Sequence, residues 1–361
     1  LMSDMLITKK KPTYPINPFL SDYLELYSRA YQIPVFYDDL LRFSGSVAVM
    51  NKHDQDSLWV RVFYSDSDRK EIDEQLKRVY ALLHSDGSAM TIPYLNVDAI
   101  DYCTFGNSKP FRIKVRNTLN DNFIYFYVKK ADASRVYGLE LEHMLSPYNL
   151  NFLVNKNTLI EEHIAGIPGD EFIKEFLPKC SKSERNQIAK SFVKFNERCM
   201  IRLLGDMRSY NYVIIPIHDF DKVIYKIRAI DFDQQSYEGN AKVYQPEHLP
   251  ENASLSDMTV GVLPQASIQQ YIKEERALLA RRAAGERARL NELLRCMKAD
   301  RISGEAHVEA LKTELWGLTG DVNFKRAGNM GDVVDADRRW ICTGERFRAQ
   351  VRTAVPAIDD E

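Results

Sequence analysis

The segment LLGDMRSYNYVII, residues 203–215, places three polar side chains between two apolar runs. Asp206, Arg208 and Asn211 have leucines before them and a valine and isoleucines after them. Polar groups beside buried strands are costly unless they are paired or used. The segment therefore predicts a loop with a chemical role, entered from a buried helix and left through a buried strand.

A helix is predicted immediately before this loop and a hairpin after it. Ser181 and Glu184 have the spacing of a capping box, in which each side chain satisfies a free backbone amide at a helix start. Behind them, apolar residues recur at helical spacing: Ile188, Phe192, Phe195, Cys199 and Leu203. After the loop, YVIIPI and KVIYKIRAIDFD are joined by HDFD, which predicts a β-hairpin that leads to Asp231 and Asp233.

Upstream, the sequence predicts a compact antiparallel lobe of three strands, one helix and two more strands. The first strands are YCTFG, PFRIKVRN and NFIYFYVKK, and the helix is ADASRVYGLELEHMLS. Two further strands, LNFLVN and NTLIEEHIAG, meet across a polar turn. The third strand ends near Lys129, and the helix carries Glu140 and Glu142.

Phosphoryl transfer to an alcohol requires the groups that these segments contain. The charge of a triphosphate must be neutralised by a cation and by Mg²⁺, the metal needs oxygen ligands, and a carboxylate orients the acceptor hydroxyl. Lys129 is the candidate cation, and either Glu140 or Glu142 is its expected ion-pair partner. Asp206 is the candidate for meeting the hydroxyl. The candidate metal ligands are Asn211, Asp231 and Asp233.

The order of these motifs resembles the protein-kinase-like fold, in the style of the aminoglycoside and choline kinases. LGDMRSYN followed by AIDFD is similar to the catalytic loop and metal-binding motif of those families, and LIEEHIAGIPGDEF is similar to the strand and linker where their lobes join. The resemblance covers roughly residues 100–255. It implies an α+β, bilobal fold with an antiparallel-sheet N-lobe, a mostly helical C-lobe and ATP bound between them.

The resemblance also implies roles for further residues. The backbone of the joining strand would hold the adenine ring, at Glu161, Glu162, His163 and Ile164. A phosphate-covering loop would fall in TFGNSKPF, which has a single glycine, and its donors would be Gly106, Asn107 and Ser108. Arg208 stands where protein kinases have a phosphate-contacting lysine, so the positive charge at this position is kept by a different side chain.

Four segments are expected along the chain. Residues 1–96 would form an additional α+β piece, built from the hairpin SVAVM and SLWVRVFYS and a helix in DRKEIDEQLKRVYALLHSDG that ends at Gly87. Residues 97–166 would form the N-lobe and hinge, and 167–330 the helical C-lobe. Residues 331–361 carry few periodic apolar side chains and are expected to be a loosely held tail.

Composition excludes several classes of function. The 361 residues carry 49 Lys and Arg against 51 Asp and Glu, a formal charge of −2, which gives no support for a nucleic-acid partner. The 5 cysteines have no C-x-x-C spacing, which argues against structural zinc and a disulfide framework. Since no apolar stretch approaches a membrane span, we expect a cytoplasmic protein with no membrane partner.

The sequence therefore predicts an ATP- and Mg-dependent phosphotransferase whose acceptor is a small molecule or a protein that the sequence does not identify. A pseudokinase-type module is the alternative from another class. It would bind a nucleotide, or a protein partner through residues 1–96 or the C-terminal helices. Transfer of AMP by the same residues is a third reading.

Overall fold

The computed structural model describes residues 11–84 and 89–343. These residues divide into two compact units. The sheet unit contains the described residues up to Ala133, together with Leu150–His163. The helical unit contains Ser134–Asn149 and the described residues from Ile164 onward.

A seven-stranded sheet is the framework of the sheet unit, with strand order β1-β2-β3-β4-β5-β7-β6. Its strands are β1 Gly45–Met50, β2 Asp56–Phe63, β3 Leu95–Cys103, β4 Phe111–Asn117, β5 Phe123–Lys130, β6 Phe152–Asn155 and β7 Thr158–Glu162. All neighbouring strands pair in antiparallel fashion. The helices of this unit are α1 Pro18–Leu26, α2 Tyr37–Leu40 and α3 Asp66–His84, with a 3-10 turn at Ala89–Tyr94.

Alternation along the central strands explains the core of the sheet unit. On β4, Phe111, Ile113 and Val115 are completely buried, while the residues between them are half-buried. Apolar residues at helical spacing on α3 join the same cluster: Ile72, Leu76, Val79 and Leu83. Since burial of such a side chain contributes about 1.5–3 kcal/mol, this shared core binds α3 to the sheet.

The structure corrects the predicted boundary between residues 96 and 97, because this boundary falls inside β3. Strand β2 pairs with β3, with Trp59 opposite Cys103, and β1 extends the same sheet. The last three residues of β3, Asp101–Cys103, are thus paired with β2. The segment before residue 97 is therefore part of the sheet unit and not an additional domain.

Helices dominate the second unit. They are α4 Ala133–Leu145, α5 Lys182–Arg202, α6 Ala253–Val262, α7 Gln265–Gly285, α8 Arg287–Lys298, α9 Glu305–Thr319, α10 Val322–Arg326 and α11 Met330–Thr343. Shorter helical turns lie at Gly169–Glu171, Phe172–Phe176, Leu177–Lys179, Ser209–Asn211, Ala241–Tyr244, Pro246–His248 and Pro250–Asn252. A three-stranded sheet has the order β10-β9-β8, with β8 Ile167–Pro168, β9 Tyr212–Asp219 and β10 Lys222–Ala229.

The elements on either side of the polar loop are confirmed. The capping box that starts α5 is reciprocal: the Glu184 amide donates to the Ser181 Oγ over 3.1 Å, and the Ser181 amide donates to the Glu184 Oε1 over 3.1 Å. Strands β9 and β10 form the predicted hairpin, with Tyr212 opposite Ala229. The loop at 203–211 is therefore held at both ends by regular structure.

The expectation of a loose tail from residue 331 is wrong for the part of the chain that the structure describes. Helix α11 continues to Thr343 and buries an apolar face made of Val333, Val334, Trp340 and Ile341. These residues recur at helical spacing over a short stretch, and the sequence-based expectation for this segment did not include that pattern. Residues 344–361 and the predicted helix end at Gly87 lie outside the described residues. Across the described ranges, no helix has the length and apolar content that crossing a membrane requires.

Candidate functional site

The polar loop begins with a left-handed turn at the end of α5. Leu203 has φ of 57°, and the Leu204 amide donates to the Cys199 carbonyl over 3.0 Å. The Gly205 amide then donates to the Gln234 carbonyl over 2.9 Å, which joins the loop to the segment that follows β10. A Cβ at Gly205 would lie 2.8 Å from the Val243 Cγ1, so this close approach requires glycine.

Side chains of the loop close on each other around Asp206. The Asn211 Nδ2 donates to the Asp206 carbonyl over 2.7 Å and to its Oδ2 over 3.3 Å. Asp206 has φ of 60°, a left-handed conformation that these contacts stabilise. The amide nitrogen of Asn211 is thus bound to the loop, and its Oδ1 is the atom that could act as a ligand.

Asp206 carries a perturbed carboxyl group. Burial raises the pKa of Asp206 from 3.8 to about 7. The charge of Arg208 lowers this pKa, and the charges of Asp231 and Glu251 raise it, so burial and neighbouring carboxylates outweigh the arginine. A carboxyl group that titrates near neutral pH can accept a proton under physiological conditions.

Arg208 lies between two carboxylates. Its Nε is 2.7 Å from the Asp206 Oδ1, but the alignment is not that of a hydrogen bond, so charge holds the pair. Its Nη1 is 3.5 Å from the Glu251 Oε1. The Glu251 Oε2 is buried and has no hydrogen-bond partner among the described residues. Glu251 was not among the residues that the sequence singled out.

Asp231 is joined to this loop by the backbone. The Ile230 amide donates to the Asn211 carbonyl over 3.0 Å, which brings the residue before Asp231 against the residue that ends the loop. The Asp233 amide donates to the Asp231 Oδ1 over 3.0 Å, so a local turn orients the Asp231 carboxylate. The structure thus brings Asp231 to the loop of Asp206 and Asn211, from which it is separated in sequence by the β9–β10 hairpin.

Asp233 has a charged partner in this structure. The Arg135 Nη2 donates to its Oδ1 over 2.9 Å, and the Arg135 side chain is only 4% exposed. This buried guanidinium places a positive charge beside the Asp233 carboxylate. A role for Asp233 as a metal ligand stays a prediction.

The remaining donors fit a magnesium ion. Among residues 11–84 and 89–343, no group of three His, Cys, Asp or Glu side chains has metal-binding geometry. Magnesium differs from zinc in needing few protein ligands, because it keeps several waters and shares the phosphate oxygens of its nucleotide. The Asn211 Oδ1 and the Asp231 carboxylate supply the oxygen donors that this ion prefers.

Each residue of the expected ion pair between Lys129 and an acid of α4 has a partner within its own unit, and the pair itself stays a prediction. Arg289 donates to both carboxylate oxygens of Glu140, over 2.8 and 2.9 Å. The Arg202 Nη1 donates to the Glu142 Oε2 over 2.5 Å. The Lys129 Nζ donates to the Glu161 Oε2 over 2.5 Å, within the sheet unit. Arginines distant in sequence thus compete successfully for the acids of α4.

The other predicted nucleotide contacts lie at the end of β7 and after β3. The Tyr127 hydroxyl is 3.0 Å from the His163 Nδ1, and the Asn151 amide donates to the Glu162 Oε1 over 2.9 Å. Burial lowers the pKa of His163, which favours the neutral ring. Ile164 is buried and belongs to the helical unit.

The predicted phosphate-covering loop is the turn between β3 and β4. Gly106 has φ of 84°, a conformation for which glycine is suited. Asn107 is exposed and Ser108 is half-buried. The glycine is thus explained by the turn, and a role of this loop in binding stays a prediction.

Comparison of the whole sequence with models of known protein families and with curated proteins finds no match.

Proposed function

We propose that this protein is an ATP- and Mg-dependent phosphotransferase that acts on a hydroxyl group. One observation carries the proposal: the loop with Asp206, Arg208 and Asn211 is joined by hydrogen bonds to the segment with Asp231. A proton acceptor, a cation and two oxygen ligands for a metal lie in these two segments. Phosphoryl transfer requires this combination, because its catalysis depends on positioning and on charge neutralisation.

In the proposed reaction, Asp206 receives the proton of the acceptor hydroxyl. Its pKa of about 7 keeps it basic enough to take that proton and ionised in a useful fraction at neutral pH. Arg208 would exchange its contacts with Asp206 and Glu251 for the transferred phosphate, whose developing charge it stabilises. The Asn211 Oδ1 and the Asp231 carboxylate would hold Mg²⁺, which when bound neutralises the phosphates.

The sheet unit supports the proposal through its topology. Three antiparallel strands, β3, β4 and β5, are followed by α4 and then by β6 and β7 in the same sheet. This is the arrangement implied by the resemblance to the kinase-like fold. Lys129 at the end of β5 remains the proposed ligand of the nucleotide phosphates, with the joining strand near Glu161 and Ile164 as the proposed adenine contact.

A nucleotide-binding module without turnover is a second candidate. Two observations favour it: Arg208 is already bound to carboxylates, and the acids of α4 are bound to arginines and not to Lys129. Such a protein would bind ATP but release no product. Transfer of AMP would use the same residues and would leave pyrophosphate, so the position of a radioactive label in ATP distinguishes it.

The experiment is incubation of the purified protein with Mg-ATP and cell extract, with the label at the γ- or the α-phosphate. We expect transfer of the γ-label by the wild type and its loss in Asp206→Ala. Asp221→Asn, at an exposed carboxylate in the turn between β9 and β10, is the control and should retain transfer. Equal transfer by the wild type and Asp206→Ala would refute the proposal, and transfer of the α-label would replace it by AMP transfer.

A further inference from the structure

Lys129 and Glu161 form an ion pair on two neighbouring strands of the sheet unit. The Lys129 Nζ lies 2.5 Å from the Glu161 Oε2, and the two side chains are only 10% and 7% exposed. Burial of two charges is unfavourable unless their remaining hydrogen-bonding groups are satisfied. The second oxygen of Glu161, Oε1, is buried and has no hydrogen-bond partner among the described residues.

Two other buried acids, Asp132 and Glu140, are satisfied at both oxygens. Asp132 also pairs with a buried lysine, Lys11, over 2.7 Å, but its other oxygen accepts the Tyr14 amide over 3.1 Å. Both oxygens of Glu140 accept hydrogen bonds from Arg289. These two acids have the closed geometry of structural ion pairs. Glu161 differs, because one of its oxygens remains open to a further donor.

Aromatic side chains border the open pair. Tyr127 is the cross-strand partner of Glu161, and the Lys129 Nζ lies 5.7 Å from the centre of the Tyr127 ring. Cross-strand neighbours of this kind restrict the directions that a side chain can take. Lys129 is thus held by a carboxylate on one strand and by a ring on its own strand, which limits the directions open to its ammonium group.

We propose that Glu161 positions Lys129 for an anionic ligand of the phosphate class, and that it replaces the acids of α4 in this role. The inference rests on the proposed function for the identity of that ligand as a nucleotide. In the ligand-bound state, Lys129 binds a phosphate oxygen while Glu161 retains one of the three ammonium protons. The open Glu161 Oε1 accepts a hydrogen bond from water or from a hydroxyl of the same ligand.

The test measures the reaction of Lys129 with an amine-directed acylating ester, followed by mass spectrometry of the full-length protein. Glu161→Gln keeps the shape of the side chain but removes the ion-pair partner that holds the Lys129 Nζ, which leaves the amine free to meet the reagent. We expect labelling of Lys129 to rise by about tenfold. Asp132→Asn, which opens the other buried lysine pair, is the matched control and should leave labelling of Lys129 within about twofold of the wild type.

The second arm uses inorganic pyrophosphate as the probe. It should slow labelling of Lys129 in the wild type and lose most of this effect in Glu161→Gln. Unchanged labelling in Glu161→Gln, or no protection of the wild type by pyrophosphate, would overturn the inference and leave the pair a structural one. Protection of Lys129 without transfer of a γ-label from ATP would refute the proposed function while the role of Glu161 stands.

Discussion

Two arginines at the end of α5 differ in how their charges are satisfied. The Arg202 side chain is 2% exposed. It donates to the Glu142 carboxylate, to the Gln235 Oε1 and to the Gly138 carbonyl, so each of its three nitrogens has a hydrogen-bond partner. Arg208 is 13% exposed and lies between Asp206 and Glu251, which retain poorly satisfied oxygens. The two residues are separated by one short turn of chain.

The difference distinguishes a structural charge network from a reactive one. Around Arg202, hydrogen bonds offset the free-energy cost of burying the charge, so its groups are not available to bind a ligand. Around Arg208, carboxylate oxygens of Asp206 and Glu251 lack hydrogen bonds within the described part of the chain, and burial raises the pKa of Asp206 to about 7 despite the charge of the arginine. Functional sites commonly combine a perturbed carboxyl group with unsatisfied neighbours, because substrates complete their hydrogen bonding.

The largest expected effect is on turnover. Asp231→Asn removes the anionic metal ligand but keeps the shape of the turn in which the Asp233 amide donates to the side chain. We expect the rate of phosphoryl transfer to fall by at least about 10³-fold, or roughly 4 kcal/mol. Chemical denaturation should show stability unchanged or higher. A rate within tenfold of the wild type would place the metal elsewhere.

Breaking the closed network should cost stability instead. Arg202→Met leaves the Glu142 carboxylate buried without its partner, and we expect the free energy of unfolding to fall by about 3–5 kcal/mol in a urea titration. Adding Glu142→Leu should recover part of this loss, because the isolated charge is then absent. If the double variant loses as much stability as the Arg202→Met and Glu142→Leu variants lose when their separate losses are added, the two residues are not coupled.

The raised pKa of Asp206 predicts a pH-dependent cost of folding. Its pKa is about 7 in the folded protein and near 3.8 when unfolded, so the folded state holds the extra proton between these values. Stability should therefore fall as pH rises from about 4 to about 7. Asp206→Asn should lose this part of the pH dependence and gain about 2–4 kcal/mol at pH 8.

The check is the urea midpoint of both proteins between pH 4 and pH 8, with Asp221→Asn as the exposed-carboxylate control. Parallel pH profiles for the wild type and Asp206→Asn would show that Asp206 is not strained by burial. Asp206→Asn should also be inactive in phosphoryl transfer. Higher stability together with lost activity is the combination expected of a functional group held in an unfavourable environment.

The smallest expected effect concerns Glu251. Its charge raises the pKa of Asp206, so Glu251→Gln should move the acidic limb of the pH–rate profile to lower pH. Arg208 would then bind Asp206 alone, and we expect turnover at neutral pH to change by about two- to fivefold. A pH–rate profile superimposable on that of the wild type would show that Glu251 is a peripheral charge.

Local periodicity explains what the sequence could predict. The capping box at Ser181, the helix α4 and the hairpin of β9 and β10 follow from patterns of a few residues, and the structure contains all of them. The sequence also singled out Asp206, Asn211 and Asp231 as candidates, because they are polar residues at the ends of apolar elements, and their role in a site stays a prediction. Turn chemistry and helical spacing were sufficient for this part.

Partner choice over long separations was not predictable. Glu140 is bound by Arg289, 149 positions away, and nothing local distinguishes that arginine from its neighbours on α8. The pairing of β2 with β3 likewise depends on which strand edge is free. The predicted boundary at residue 96 therefore did not take this pairing into account. Glu251 escaped notice because its role depends on proximity to Arg208 and not on its own segment.

In the proposed function, Asn211 and Asp231 hold one divalent cation together with a nucleotide. Electron paramagnetic resonance of Mn²⁺, titrated with the protein and ATP, measures this binding directly. We predict that the wild type binds Mn²⁺-ATP tightly and that Asn211→Ala and Asp231→Asn each lower the affinity by about tenfold or more. The double variant should bind no more weakly than the single variant that has the lower affinity. Undiminished Mn²⁺-ATP binding by Asp231→Asn would contradict the account.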